Sequence, residues 1–193
     1  MSIYDLILKR RTIRRFQNRP VSYEQLEKMV NAARVAPSAM NMQPLEYVIL
    51  DDPKLVTELF RLTYWARYIP DDKGRPGPGE EPVAFIAVLI NQSLASKWIA
   101  YDVGAAMENI ILTAMEDGIG TCWIGSVEKE KVSALLNLGE GYALDSVVAL
   151  GYPAEEPQAV AFIDSQKYYK DDDGTLFVPK RELGDICHHN QLS

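Results

Sequence analysis

The chain has 193 residues, 47% of them hydrophobic, and a formal net charge of -7. That length suits one domain, expected over 1–193, with enough apolar residues for a sizeable core. The acidic balance argues against a general nucleic-acid binder, whose affinity rests on neutralising phosphates.

In chain order, Ser2 and Asp5 have the spacing of a capping box and predict a first helix over Ile3 to Lys9. Next comes Arg10-Arg11-Thr12-Ile13-Arg14-Arg15-Phe16, with no acidic residue between Lys9 and Arg19. In an acidic chain this reads either as a solvated basic loop or as an anion site. Arg10, Arg11 and Arg14 are forked, permanently charged donors suited to a phosphate, and Thr12 adds a hydroxyl among them. Ser22 and Gln25 make a second capping box before Leu26, Met29, Val30 and Ala33, which share a helical face. Pro37 ends that helix near Val35. Ala36 to Pro44 is a loop of small and polar residues held between two prolines, followed by a strand over Leu45 to Leu50. Asp52-Pro53 opens an amphipathic helix carrying Leu55, Val56, Leu59, Phe60 and Leu62.

Residues 70–82 are rich in Gly, Pro and charge and are predicted to be too polar to pack: a surface loop and a candidate lid spanning 66–82. Val83 to Ile90 is a continuous apolar run, the pattern of a strand buried on both faces. Ser96 to Asp117 is a long helix, apolar nearly all round, so either the fold or a second subunit must cover it. Its apolar run is interrupted by Asp102, Glu108 and Asn109, which speaks against a membrane span. Gly118 ends it. A short strand follows over Ile119 to Ile124. Ser126 is expected to cap a helix with Glu128 in its first turn and Val132, Leu135 and Leu136 inward. Leu144 to Leu150 is another buried strand, closed by Gly151-Tyr152-Pro153. Asp173-Gly174 between 167–169 and 176–178 predicts a β-hairpin, part of a C-terminal hairpin and arm over 165–193. Strands and helices mix without strict alternation, which favours an α+β fold.

Familiar catalytic constellations are missing from the sequence. The only histidines, His188 and His189, sit in a polar tail beside Cys187. Gly118-Ile119-Gly120 lacks the third glycine of a dinucleotide fingerprint and follows a helix. Cys122, between apolar neighbours, reads as a small buried hydrophobe. The two cysteines build no disulfide framework or metal motif, and Met1 to Asp5 does not resemble a signal peptide, so a reducing, cytoplasmic setting is expected. An anion site without an acid, base or nucleophile points to a bound cofactor that carries the chemistry.

Five stretches together resemble the FMN-dependent nitroreductase family. Arg10-Arg11-Thr12-Ile13-Arg14 is similar to its R-R-S-x-R opening, with threonine where serine is commoner. Ala36 to Pro44 resembles its A-P-S-x-x-N-x-Q-P loop, and Gly118 to Gly125 its G-x-G-T-C-W-I-G segment. Gly151-Tyr152-Pro153 and Pro179-Lys180-Arg181 follow in the family's order. The resemblance implies an α+β homodimer, with a central sheet flanked by helices, a long helix at the dimer interface and composite FMN sites. It implies that Arg10, Arg11, Thr12 and Arg14 hold the FMN phosphate and ribityl chain, joined by Lys180 and Arg181. Pro37, Ser38, Ala39 and Asn41 would reach the flavin from the other subunit. Trp123, Ile124 and Gly125 would line the ring, with the Gly125 N–H near flavin N5. Arg67, Lys73 and Arg75 stay open as candidates for the flavin's pyrimidine edge. The implied activity is ping-pong transfer from NADH or NADPH to a small acceptor such as a nitroaromatic or quinone, with no metal, nucleic acid or membrane involved. A specialised flavoenzyme of the same fold, performing reductive dehalogenation or flavin fragmentation, and a non-catalytic FMN-binding protein are the alternatives.

Overall fold

The computed structural model describes residues 2–192, apart from the side chains of residues 71 and 72; Met1 and Ser193, the ends of the expected domain, lie outside it. In chain order the elements are α1 (Ile3–Lys9), α2 (Tyr23–Arg34), β1 (Leu45–Leu50), α3 (Pro53–Arg61), α4 (Asp71–Gly74), β2 (Ala84–Asn91), α5 (Ile99–Glu116), β3 (Gly120–Ile124), α6 (Lys129–Leu135), β4 (Tyr142–Gly151), β5 (Gln158–Ala161), β6 (Tyr169–Lys170) and β7 (Leu176–Lys180). Both expected capping boxes form, on α1 and α2. Asp52 caps α3 through its side chain, with Pro53 in the first turn.

The main sheet is antiparallel, ordered β1-β2-β4-β3. Its central strands are buried on both sides because side chains alternate between two cores. On one face Ala84, Ile86, Val88, Val148 and Leu150 pack against α2 and α5 through Leu26, Met29, Val103, Met107 and Ile110. On the other, Phe85, Ala87, Leu89, Val147 and Ala149 meet Val56 and Leu59 of α3, Val132 of α6 and Trp65. This is an α+β layered fold. A register shift between Val88 and Leu89 pairs them with Ser146 and Leu144, which leaves Asp145 as a bulge. The bulge explains why Leu144 joins the same core as Val147 despite its even number.

The long helix is covered mainly within the chain. Val103, Ala106, Met107, Ile110 and Ala114 are buried against α2 and the sheet, and Asp102 and Ile111 are buried as well. Its apolar character therefore has an internal explanation, and the greasy surface left near its start is Trp98 and Tyr101.

Two expectations are corrected. The 70–82 segment packs rather than floating on solvent. Gly74, Pro76 and Pro82 are buried, and Arg75 donates to the carbonyls of Thr63 at 2.9 Å and Phe60 at 2.8 Å while lying over the Phe60 ring. Its charge is thus what fastens it down. Ser126 does not cap α6. The chain stays extended through Val127, which bridges Thr63, and Glu128 takes the cap position without a side-chain bond. The Asp173-Gly174 hairpin forms as β6–β7, with Gly174 at φ 84. β5, which runs parallel to β7, was not legible in the sequence.

Two glycines set how the arginine stretch lies. Ile13 crosses β3 at Gly120 and Phe16 crosses β4 at Gly151; a Cβ on Gly120 would stand 2.7 Å from Ile13 Cγ1, and one on Gly151 3.0 Å from Phe16. Backbone bonds Ile13 N–H to Thr121 O (2.9 Å) and Gln17 N–H to Tyr152 O (2.8 Å) complete the seam. Gly120→Ala is therefore expected to destabilise the fold by about 1–3 kcal/mol through overpacking, whereas Gly125→Ala, whose Cβ would meet nothing within 4 Å, should stay within about 0.5 kcal/mol of wild type. Urea unfolding checks this, and equal midpoints for the two variants would refute the close approach at Gly120.

Candidate functional site

The seam delivers Arg14 to a cleft of about 510 Å³. Its walls come from Arg14, from Cys122, Trp123 and Ile124 of β3, from Tyr168, and from the turn at 64–67. β3 is the edge strand of its sheet. Thr121 turns its carbonyl outward to accept from Ile13. By the period of two, the backbone N–H and C=O of Trp123 face the same open side. The walls contain two guanidiniums, Arg14 and Arg67, and no carboxylate among the described residues. For a chain of net charge -7, this is a local reversal of sign, and it favours an anionic ligand.

Arg14 is held at two points. Its N–H donates to Glu155 Oε1 at 2.5 Å, and its guanidinium lies 4.9 Å from the Tyr168 ring centroid. Its Nε is buried without a hydrogen-bond partner. A buried guanidinium N–H without an acceptor is costly, and an oxyanion in the cleft would satisfy it. Arg11 is placed differently. Its Nη1 donates to the Leu8 and Arg10 carbonyls, at 3.0 and 2.5 Å, so it closes the end of α1. Burial and then the charge of Arg10 pull its pKa down. Arg10 Nε lies 3.6 Å from Glu108 on α5. Thr12 is half-buried.

The Ala36–Pro44 loop borders a separate cleft of about 400 Å³, which Pro37 and Ser38 line with Asp102, Gln43 and Tyr47. Burial pushes the Tyr47 phenol up to about 12. The loop is strained: Met40, Asn41 and Gln43 have φ of 54, 55 and 48, at a cost on the order of 1 kcal/mol or more each. It is held by Ala39 N–H to Asp102 Oδ1 at 2.8 Å and by Gln43 N–H to Ser38 Oγ at 3.0 Å. Asp102 is only 4% exposed, and its Oδ2 is buried without a partner. Sequence reasoning missed Asp102 as the support of this loop. Its one legible signal was a carboxylate interrupting an apolar helix.

One chain therefore brings Arg14, Trp123 and Ile124 to one cleft and Pro37 and Ser38 to another, with Asn41 exposed on the loop between. Gly125 follows β3 with open space where a Cβ would be, so nothing in its own chain requires a glycine there. Lys180 and Arg181 stand outside both sets of walls; Arg181 is exposed and donates to the Asp185 carbonyl at 2.6 Å. The cation from the C-terminal hairpin that approaches the arginine stretch is Lys170. Its pKa is lowered first by burial and then by Arg15, with Glu155, Glu80 and Arg14 also acting on it. Nothing in its sequence context distinguished it from Lys180. Of the three residues left open for the flavin edge, Arg75 is engaged with carbonyls and Lys73 is not in the cleft wall, whereas Arg67 is. A third cleft, about 560 Å³, is bordered by Asp51 and Glu81 and by none of the predicted residues; its carboxylates disfavour a phosphate.

Comparison with known proteins follows the same lines. Residues 7–152 match the sequence profile described as the Nitroreductase family. A protein of Archaeoglobus fulgidus provisionally named NADH dehydrogenase/NAD(P)H nitroreductase is 32% identical over 159 residues, covering 78% of this chain and 85% of that protein. A crystal structure of a protein of the same provisional name from Parabacteroides distasonis superposes with a TM-score of 0.71 at 24% identity, covering 98% of each chain. An FMN-dependent nitroreductase from Clostridium difficile R20291 gives 0.67 at 23% identity, covering 97% of this chain and 98% of that one.

Cys122 borders the cleft but is no nucleophile at neutral pH. Burial denies its thiolate solvation and pushes its pKa up to about 11, against a smaller opposing effect of Arg14. At pH 8 only roughly one thiol in a thousand is ionised there. Native protein should therefore release one equivalent of chromophore from a disulfide reagent, from exposed Cys187, and denatured protein two. Two fast thiols in the native state would place Cys122 within reach of solvent.

Proposed function

The chain belongs to the nitroreductase family, and from that premise we propose that it is an FMN-dependent NAD(P)H oxidoreductase acting on small acceptors such as nitroaromatics or quinones. The observation that carries this reading is the buried, unpartnered Arg14 Nε beside a carboxylate-free cleft along the open edge of β3. The residues fit FMN. Arg14 would hold its phosphate, with Thr12 and Arg10 alongside, and Lys170 would add charge from the hairpin. One arginine cluster suits one phosphate, and hence FMN rather than FAD. The outward backbone of Trp123 would meet the ring's polar edge, and Gly125 would let backbone approach it. When bound, FMN supplies two-electron chemistry, reduced by NADH or NADPH and reoxidised by the acceptor. The chain's own work is then to bind, to orient and to exclude competing water. Nicotinamide and acceptor would share the cleft beside the flavin and would have to alternate, which gives ping-pong kinetics.

The composite homodimer belongs to the same proposal. Arg14 and Ser38 line different clefts of one chain, so one flavin touching both stretches needs two copies. The Ser38 oxygen already accepts from Gln43, while its hydroxyl hydrogen remains available for a group beyond the chain. The apolar surface that a second copy would cover is present: Ile3, Tyr4, Ile7 and Leu8 of α1, Tyr101 of α5, and Met40 on the loop are exposed. α1 has no buried residue, so its apolar face gains little from its own chain.

The test combines uptake and reduction. Purified protein supplied with FMN should show a bound-flavin spectrum that bleaches anaerobically with NADH or NADPH, with parallel double-reciprocal lines against an acceptor. Bound flavin that no nicotinamide reduces would leave only a binding protein. Arg14→Glu places like charge at the phosphate and should lower FMN affinity by several kcal/mol, on the order of a broken charge-assisted pair, while circular dichroism stays native. Affinity within a few-fold of wild type would remove Arg14 from the site.

A further inference from the structure

Beside the cleft stands an arginine with no partner among the described residues. Arg67 is exposed and lines the same cleft as Arg14 and Trp123, yet it takes part in no hydrogen bond, ion pair or ring contact among the described residues. The turn that carries it is firmly built. Tyr64 N–H donates to Ser126 O and Ile69 N–H to Ala66 O. The buried Trp65 donates its ring N–H to Thr63 Oγ1 at 2.8 Å. Ala66, 8% exposed, is forced to φ 44, a conformation that costs an alanine on the order of 1 kcal/mol or more. A strained and anchored turn thus presents a guanidinium that no described residue engages. The flanking groups are aromatic: Tyr64 is 61% and Tyr68 48% exposed, and Tyr68 packs edge-on against Tyr168, the ring over which Arg14 lies. Lys167 Nζ adds a second cation, 5.8 Å from the Tyr68 centroid. Glu128 bonds the Tyr64 hydroxyl at 3.3 Å and is paired with Lys131 at 2.5 Å.

We propose that Arg67 is the specificity-determining residue for the electron acceptor, and that the preferred acceptor is an aromatic ring bearing an anionic substituent such as a carboxylate. This rests on the flavoenzyme reading above and names its substrate class. The phosphate of the cofactor is assigned to Arg14, which leaves Arg67 for a second anion. The exposed tyrosines offer apolar faces to the ring, and the guanidinium forks onto the carboxylate.

The test is equilibrium binding to oxidised, FMN-loaded protein, read by calorimetry or by perturbation of the flavin spectrum, with 4-nitrobenzoate and its uncharged analogue 4-nitrobenzamide as probes. The wild type should bind the carboxylate more tightly, with a preference that shrinks as salt is raised. Arg67→Gln should weaken 4-nitrobenzoate about ten-fold, the order of one charge-assisted contact, and 4-nitrobenzamide less than two-fold; Arg67→Lys should keep most of the preference. Equal weakening of both probes, accompanied by a shift in flavin potential, would make Arg67 a flavin-edge contact and overturn the proposal. So would no weakening of either, or a loss confined to 2′-phosphorylated adenosine, which would assign the anion to NADPH. A chain that takes up no FMN would instead remove the reading on which this assignment rests, and that failure is seen before any probe is added.

Discussion

The close approach of Ile13 and Phe16 to Gly120 and Gly151 is the contact on which the site depends. Two positions without a Cβ let the basic stretch lie across the ends of β3 and β4 and bond to them backbone to backbone. The apolar members of the stretch face in: Phe16 is fully buried and Ile13 is 8% exposed. Arg14 then lines the cleft, and Arg15 pairs with Glu80. A loop of arginines on solvent would adapt to any anion. Here the backbone is fixed, and of this stretch it is Arg14 that brings a buried, unmet donor to the cleft wall, which is what a preorganised anion site requires.

The same sheet edge determines what the cleft can do. β3 is short, unpaired on its outer side, and ends at a glycine that its own packing does not demand. An edge strand with open backbone groups is ordinarily a liability. Beside a positive cleft, the open donor and acceptor of Trp123 are what the proposed flavin would bond. Opposite it, the turn at 64–67 supplies aromatic surface and a second cation. The acidic groups are kept off these walls: Glu155 sits behind the Arg14 backbone and Glu128 is paired with Lys131. The distribution of charge within the fold, rather than the net charge of the chain, decides the sign met by a ligand.

Much of this was legible in the sequence because local signals agreed with the tertiary outcome. The capping boxes at Ser2 and Ser22, the Asp52-Pro53 start and the Asp173-Gly174 turn each depend on neighbours in the chain. The continuous apolar runs of β2 and β4 report burial on both faces directly. What failed depended on distant partners. Arg75 looked like a mark of a solvent-borne loop until its carbonyl acceptors on Thr63 and Phe60 were brought near. Ser126 looked like a cap, but the bridge from Thr63 to Val127 holds the chain extended past it. Nothing local marked Lys170, whose place among the charges of Arg15, Glu155, Glu80 and Arg14 comes from the fold. Asp102 looked like a break in an apolar helix, whereas it holds a strained loop from behind.

The most direct measurement is a crystal structure of the protein with FMN. The account predicts the phosphate on Arg14, with the Nε now partnered, the ring along the open edge of β3 near Gly125, and Ser38 of a second copy against the same ring. FMN seated elsewhere, or on Arg14 with no second copy completing the site, would contradict it.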